Sequence, residues 1–123
     1  MDRILSEYDD NLNRETILRR LEGNSELLTE LVQLFLGEAP QLMEAMRKAL
    51  QQGDMQGLAR SAHSMRGAAG NFLAHEITSA ASQLEDDAKK GDVESAKAGL
   101  ASLEAVVERL LPELANLGHG SPI

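Results

Sequence analysis

Apolar residues recur every three or four positions through the last third of the chain, and this spacing constrains the fold more than any other feature. One face of an α-helix collects residues at such intervals, so the spacing predicts a long amphipathic helix. The residues of this apolar seam are Val93, Ala96, Leu100, Leu103, Val107, Leu110, Leu114 and Leu117. Because most of the stability of a helix comes from packing its apolar face, the chain is expected to fold as a helical assembly.

Three further segments show the same spacing, at about residues 25–52, 55–72 and 75–90. The first two of these segments, like the last helix, begin beside a short polar side chain that can accept a hydrogen bond from a free backbone amide of the first turn. The predicted N-caps are Asn24 or Ser25 for the first of these segments, Asp54 for the second, and Asp92 for the last helix. Lys89 lies near the end of the third segment, where a cation interacts favourably with the helix dipole.

The remaining parts of the chain are shorter or interrupted. Asn13 is predicted to cap a short helix that runs to about Glu22, after an acidic arm or short helix over residues 1–12. Pro40, three residues after a glycine, predicts a kink or brief break near 37–40, and Pro112 predicts a kink or a fraying end in the last helix. Residues 118–123 are expected to form a flexible tail.

Four amphipathic helices with short connections predict an all-α fold. We expect an antiparallel up-down-up-down four-helix bundle with one or two short N-terminal helices. Aromatic residues make up only 2% of the chain, which fits a core of Leu, Ala and Met and does not favour a β-sandwich. A length of 123 residues suits a single domain, which we place at residues 1–117.

The charge of the chain narrows the classes of partner. The net charge is −8, which argues against binding to nucleic acid or to anionic membrane surfaces, since both need clustered cations. There is no cysteine, so a disulfide framework and a thiolate metal site are excluded, and no other metal site is expected. The N-terminus is acidic and polar and lacks the pattern of a signal peptide, so we expect a cytoplasmic protein.

One histidine lies beside the seam of the second long helix. The seam consists of Leu58, Ala62, Met65, Ala69 and Phe72. His63 is one position off the seam, and Gly67 and Gly70 follow it on the same helical face. A glycine inside a helix costs roughly 1 kcal/mol relative to alanine, so two on one face indicate that something approaches that face closely. With the guanidinium of Arg66, the pattern suggests phosphoryl chemistry at a docking surface, and an incidental surface histidine is the alternative.

The segment HSMRGAAGNF, residues 63–72, resembles the signature of histidine phosphotransfer domains, H-x-[hydrophobic]-[Lys/Arg]-G-x-x-G/A. These domains occur in hybrid sensor kinases and in the chemotaxis kinase. The family is a four-helix bundle with its histidine on the second bundle helix, and the resemblance covers about residues 14–116. It implies that His63 accepts a phosphoryl group on Nε2 and passes it to an aspartate of a receiver domain. It also implies a carrier, not an enzyme with its own kinase core, so that Mg²⁺ would come from the receiver domain.

The resemblance also implies roles for neighbouring residues. Arg66 would stabilise the phosphoryl oxygens, unless it is an ordinary solvated arginine. Gly67 would clear space beside the imidazole, whereas Gly70 is either a second small contact position or a helix-packing residue. Glu85, on the next helix, would orient the imidazole through Nδ1; the alternatives are a solvated glutamate in an acidic run, or Ser82 or Gln83 in its place.

The expected partner is a receiver domain of a response regulator, a hybrid histidine kinase, or both, and the chain itself is expected to be monomeric. The predicted docking surface consists of Ala59, Arg60, Ser64, Gly67 and Gly70. Two alternatives stay open. The chain could be a helical adaptor that binds receivers without phosphotransfer, or it could be the phosphotransfer domain of a larger kinase.

Overall fold

The computed structural model describes residues 12–119, and this part of the chain forms five α-helices. They are α1 (Arg14–Arg20), α2 (Ser25–Gln52), α3 (Met55–Gly70), α4 (His75–Lys89) and α5 (Val93–His119). Each of the four long helices packs against the next, and α5 closes the ring against α2. Because short turns join these consecutive neighbours, they alternate in direction. The predicted all-α four-helix bundle is confirmed, with one short helix before it.

The predicted apolar seams lie in the core of the bundle. All five seam residues of the segment 58–72 are at most 1% exposed, and burying a large apolar side chain contributes roughly 1.5–3 kcal/mol. Phe35 of α2 meets Phe72 edge to face, with ring centroids 5.6 Å apart. The prediction for Val93 is wrong: it is 45% exposed because it is the first residue of α5. None of the helices within residues 12–119 has the length and apolar character needed to cross a bilayer.

Polar side chains cap four of the five helices as predicted, whereas α4 begins after Ala74 without a side-chain cap. Each predicted N-cap accepts from the backbone N–H three positions later, at 2.9–3.1 Å. These confirmed caps are Asn13, Asn24, Asp54 and Asp92. Gly53 ends α2 and Gly91 follows α4, both with positive φ, of 71° and 73°, a conformation in which a side chain would be strained. The predicted ends of α1, α3 and α4 are one or two residues too late.

The prediction of a break near residues 37–40 is wrong, because α2 continues through Pro40. A proline inside a helix loses one backbone hydrogen bond, but the flanking Ala39 and Met43 are buried in the core and hold the segment helical. In the same way α5 continues through Pro112. Here packing outweighs the local preference of the proline.

The predicted start of the C-terminal tail is two residues early, since α5 includes Gly118 and His119. Gly118 lies against α2: a Cβ atom added to it would be 3.1 Å from Val32 Cγ1, and its carbonyl accepts from Thr29 Oγ1 at 3.2 Å. These contacts hold the end of α5 on the bundle. Residues 120–123, and residues 1–11 of the predicted N-terminal arm, lie outside the described part of the chain.

Candidate functional site

His63 lies in the middle of α3 and projects from the bundle. The preceding Ala62 and the following Met65 are fully buried, which fixes this face of α3 against the core. The imidazole lies beside that face, and 62% of its side-chain surface is exposed. The helix therefore holds the backbone of His63 rigidly while its ring stays accessible to solvent.

Glu85 of α4 approaches His63 from the neighbouring helix. Its Oε2 atom lies 3.1 Å from His63 Nδ1. Glu85 follows the buried Leu84 and is itself only 6% exposed, so it is not a solvated member of an acidic run. Gln83, one of the alternatives, is directed elsewhere, because its amide donates to Asp87 at 3.2 Å.

Three side chains with donor groups surround the Glu85 carboxylate. Arg66 Nη2 lies 3.3 Å from Oε1, and Lys89 Nζ lies 3.1 Å from Oε2, the oxygen that also faces His63. Burial on its own raises the pKa of Glu85, but hydrogen bonds from Lys89 and His63 outweigh it and hold the pKa below its ordinary value. The carboxylate is therefore ionised at neutral pH despite its burial.

Arg66 contacts the histidine as well as the glutamate. Its Nη2 atom is 2.8 Å from His63 Nδ1, and 41% of its side-chain surface is exposed. The guanidinium thus contacts both the imidazole and the carboxylate and is not an isolated surface arginine. Because the side chain of Arg66 is partly exposed, its guanidinium can reach an anionic group attached to the imidazole.

Two of the three glycines of α3, Gly67 and Gly70, leave open space on the same side as His63. A Cβ atom added to Gly67 or Gly70 would have no other atom within 4 Å, apart from the immediate helix. Neither residue has the positive φ that would favour glycine, so neither packing nor backbone strain accounts for them. The packing alternative for Gly70 is therefore not supported by its surroundings.

Two grooves flank the His63 face. The α3–α4 groove, of about 780 Å³, includes His63, Glu85 and Lys89 in its lining. The α2–α3 groove, of about 350 Å³, is bordered by Gly67 and by Leu34, which is 67% exposed. Of the predicted docking residues, Ala59 and Arg60 line the first groove, Gly67 the second, and Ser64 both, whereas Gly70 lines neither.

Ala59 is only 6% exposed, so it contributes to the floor of the α3–α4 groove. The rim of that groove is basic: Arg60, Lys89 and Lys90 line it, and Arg66 contacts His63 beside it. Four of the twelve Lys and Arg residues are thus gathered around one histidine in a chain whose net charge is −8.

The chain matches the Hpt domain over residues 30–115, a range that includes all of α3 and α4. It belongs to the Hpt domain family. Hpt domains carry out histidine phosphotransfer in phosphorelays and interact with receiver domains and kinases. Among curated proteins and among solved structures, no significant match is found.

Within the Hpt domain, His63 is the single histidine of α3. His75 begins α4, and the side chain of His119 lies outside what the structure describes. Over residues 12–119, no group of three or more His, Asp and Glu side chains is arranged to hold a metal ion.

Sequence reasoning missed one neighbour of the site, Lys89, which it assigned only to the helix dipole. The available signal was the spacing of four residues from Glu85, which places the two side chains on one face of α4.

Proposed function

We propose that this Hpt domain accepts a phosphoryl group on Nε2 of His63 and exchanges it with an aspartate of a receiver domain. The observation that carries the proposal is the geometry of the imidazole. In the described part of the chain, both hydrogen-bonding neighbours of the ring face Nδ1, and most of the side chain is exposed. Nε2 is therefore the nitrogen left to react with a group brought by another protein.

The transfer itself needs little chemistry from this chain. The lone pair of Nε2 attacks phosphorus, the N–P bond forms, and the bond from phosphorus to the aspartyl oxygen breaks. The electron pair of that bond goes to the aspartate, which leaves as a carboxylate. The Nδ1 proton stays on the ring, held by Glu85, and the reverse reaction returns the phosphoryl group by the same steps.

The surrounding residues have supporting roles in this proposal. Arg66 offsets charge on the phosphoryl oxygens, and Glu85 orients the ring. Gly67 leaves room for the active-site loop of the partner, which docks over Ala59, Arg60, Ser64, Gly67 and Gly70. The receiver domain supplies Mg²⁺ and the remaining catalytic groups, so the chain acts as a carrier and not as an enzyme.

The domain bounds, oligomeric state, cellular location and partners belong to the same proposal. We place a single domain at residues 1–117 and infer a monomeric, cytoplasmic carrier whose partners are a receiver domain and a hybrid histidine kinase. The family match supports the type of partner and applies equally to a free carrier and to the Hpt domain of a larger kinase.

The test is transfer of labelled phosphate from a phosphorylated receiver domain, or from its kinase with ATP. We expect acid-labile label on the wild-type chain and none on His63→Gln. His75→Gln and His119→Gln are matched controls that should label normally, since they remove the other two histidines. Label on His63→Gln would overturn the assignment. Receiver binding without any label on the wild type would favour the adaptor alternative.

Docking is tested by Gly67→Gln. The longer side chain would stand where the partner has to approach, so we expect transfer to be blocked while the helical circular dichroism stays unchanged. Transfer at the wild-type rate in this variant would contradict the proposed docking surface.

A further inference from the structure

The Nδ1 atom of His63 has two close neighbours, one that can only donate a hydrogen bond to it and one that can only accept a hydrogen bond from it. Arg66 Nη2, at 2.8 Å, can only donate, because a guanidinium has no acceptor. The ionised Glu85 Oε2, at 3.1 Å, can only accept. In a neutral imidazole, Nδ1 either carries a proton and donates a hydrogen bond, or has a lone pair and accepts one. Only one of these two contacts is therefore a hydrogen bond at a time.

Which of the two hydrogen bonds forms at Nδ1 decides which ring nitrogen has the reactive lone pair. When Nδ1 carries the proton and donates it to Glu85, Nε2 has a lone pair that can attack phosphorus. When Nδ1 accepts from Arg66, the proton lies on Nε2 and blocks attack. The competition between Glu85 and Arg66 therefore controls the population of the reactive tautomer.

Lys89 acts on this competition through the carboxylate oxygen that faces His63. Its Nζ atom lies 3.1 Å from Glu85 Oε2, and it stands one turn later on the same helix. We propose that Lys89 is a positioning residue for the phosphoacceptor: it holds Glu85 Oε2 beside Nδ1 and so favours the Nδ1–H tautomer over the form bonded to Arg66. Its importance for transfer rests on the proposed function of His63.

The burial of the two partners supports this role. The side chain of Glu85 is 8% exposed and that of Lys89 is 64% exposed, so the lysine reaches from the surface to a carboxylate with little access to water. Burial by itself raises the pKa of Glu85, and the hydrogen bond from Lys89 is the largest interaction that opposes it, ahead of the bond from His63. Without Lys89, the pKa of Glu85 is higher and its carboxylate is freer to turn toward Arg66.

The tautomer of His63 is measured by long-range ¹H–¹⁵N correlation spectra of the unphosphorylated protein, at a pH where the ring is neutral. We expect Lys89→Met to lower the ratio of Nδ1–H to Nε2–H by about two- to five-fold, the range for a partly exposed ion pair. Arg66→Met should raise the ratio, because it removes the competing donor. The pKa of Glu85, followed by ¹³C spectra of its carboxyl group, should rise in Lys89→Met.

Two variants serve as matched controls. Lys90→Met removes the same charge one position along and outside the Glu85 hydrogen bonds, so the ratio should not change, and Lys89→Arg should keep the wild-type ratio. An unchanged ratio in Lys89→Met, or an equal fall in Lys90→Met, would overturn the proposal. Failure of His63 to take label while the ratios shift as expected would refute only the proposed function; normal labelling with no shift would refute only the role of Lys89.

Discussion

Glu85 is both buried and charged, and its ionisation links the site to the stability of the fold. Its pKa lies below the ordinary value of 4.5 in the folded chain, so folding favours the carboxylate form. That contribution is complete above the unfolded pKa and is lost as the pH falls below 4.5 through the folded pKa. We expect Glu85→Gln to lower the free energy of unfolding at neutral pH, and the gap from wild type to narrow in acid. Urea unfolding across this pH range measures the gap.

Asp92 provides an internal reference for this measurement. Hydrogen bonds from the Ser95 hydroxyl and backbone amide also lower the pKa of Asp92, so part of the acid sensitivity has another source. The Glu85→Gln variant should keep that part. A stability gap that stays constant from neutral pH into acid would show that Glu85 is not linked to folding in this way.

Substitution of Gly67 tests helix stability and partner docking separately, because the two effects are expected to have opposite signs. It lies inside α3 with open space at its Cβ position, so Gly67→Ala should stabilise the fold by roughly 0.5–1 kcal/mol. If the glycine is there for a partner, the same variant should slow phosphotransfer. Thermal unfolding and label transfer measure the two effects.

The matched control is Gly37→Ala on α2. A Cβ atom there also meets nothing within 4 Å, and Gly37 lines neither groove beside His63. It should give a similar gain in stability with no change in transfer. Equal transfer rates in the two variants would remove the argument for clearance at Gly67.

At this scale the sequence predicts residues better than contacts. The motif singles out His63 and Gly67, and the resemblance to related domains points to Glu85, twenty-two residues later. The double contact of Arg66 depends on how α3 and α4 pack, and the bond from Lys89 depends on the side-chain rotamers within α4. A Glu and a Lys four residues apart are common on helices, so their spacing alone does not single out a functional pair.

Among the elements, α2 shows how packing overrides a local signal. Pro40 lacks the backbone N–H that would complete the helix, yet α2 is continuous from Ser25 to Gln52. Because Pro40 is exposed, Pro40→Ala restores a hydrogen bond without disturbing the core. We expect the free energy of unfolding to rise by about 1–3 kcal/mol, measured by urea denaturation.

Pro112 in α5 is the matched position, since it is also exposed inside a long helix. Pro112→Ala should stabilise the fold in the same direction. Destabilisation by either change would mean that the helix needs the bend that a proline imposes, and that its packing is fitted to that bend.

Sequence signals differed in reliability among the elements. Caps such as Asp54 were predictable because the side chain accepts from its own first turn, a contact that needs no tertiary information. Helix interruptions and ends were less predictable, since they depend on whether a neighbouring helix covers the segment, as α2 covers Gly118. Val93 fits the apolar spacing but is exposed, because it is the first residue of α5 and no neighbouring helix covers it.

For the whole molecule, the fold followed from the sequence while the charge distribution did not. Four apolar seams with short connections leave an antiparallel bundle as the simplest way to bury every seam. The net charge of −8, by contrast, conceals a basic rim. Arg60 comes from α3 and Lys90 directly follows α4, and only the packing of the two helices brings them to one groove.

The basic rim should guide an anionic partner toward His63. An aspartyl phosphate carries the opposite charge, so its approach to the α3–α4 groove is favoured although the chain as a whole is acidic. We expect Arg60→Gln and Lys90→Gln each to slow transfer from a phosphorylated receiver, by on the order of two- to ten-fold at low ionic strength. Stopped-flow or quench kinetics at several salt concentrations measure this.

The matched control for the rim is Arg47→Gln. Arg47 pairs with Glu44 and with Glu104 of α5, so it lies on the α2–α5 side of the ring of helices, away from the groove. Its loss changes the net charge by the same amount as the loss of Arg60 and should leave the transfer rate nearly unchanged. Added salt should erase the difference between the rim variants and wild type, because it screens exposed charges. Equal slowing by all three changes would mean that net charge, and not the rim, governs the encounter.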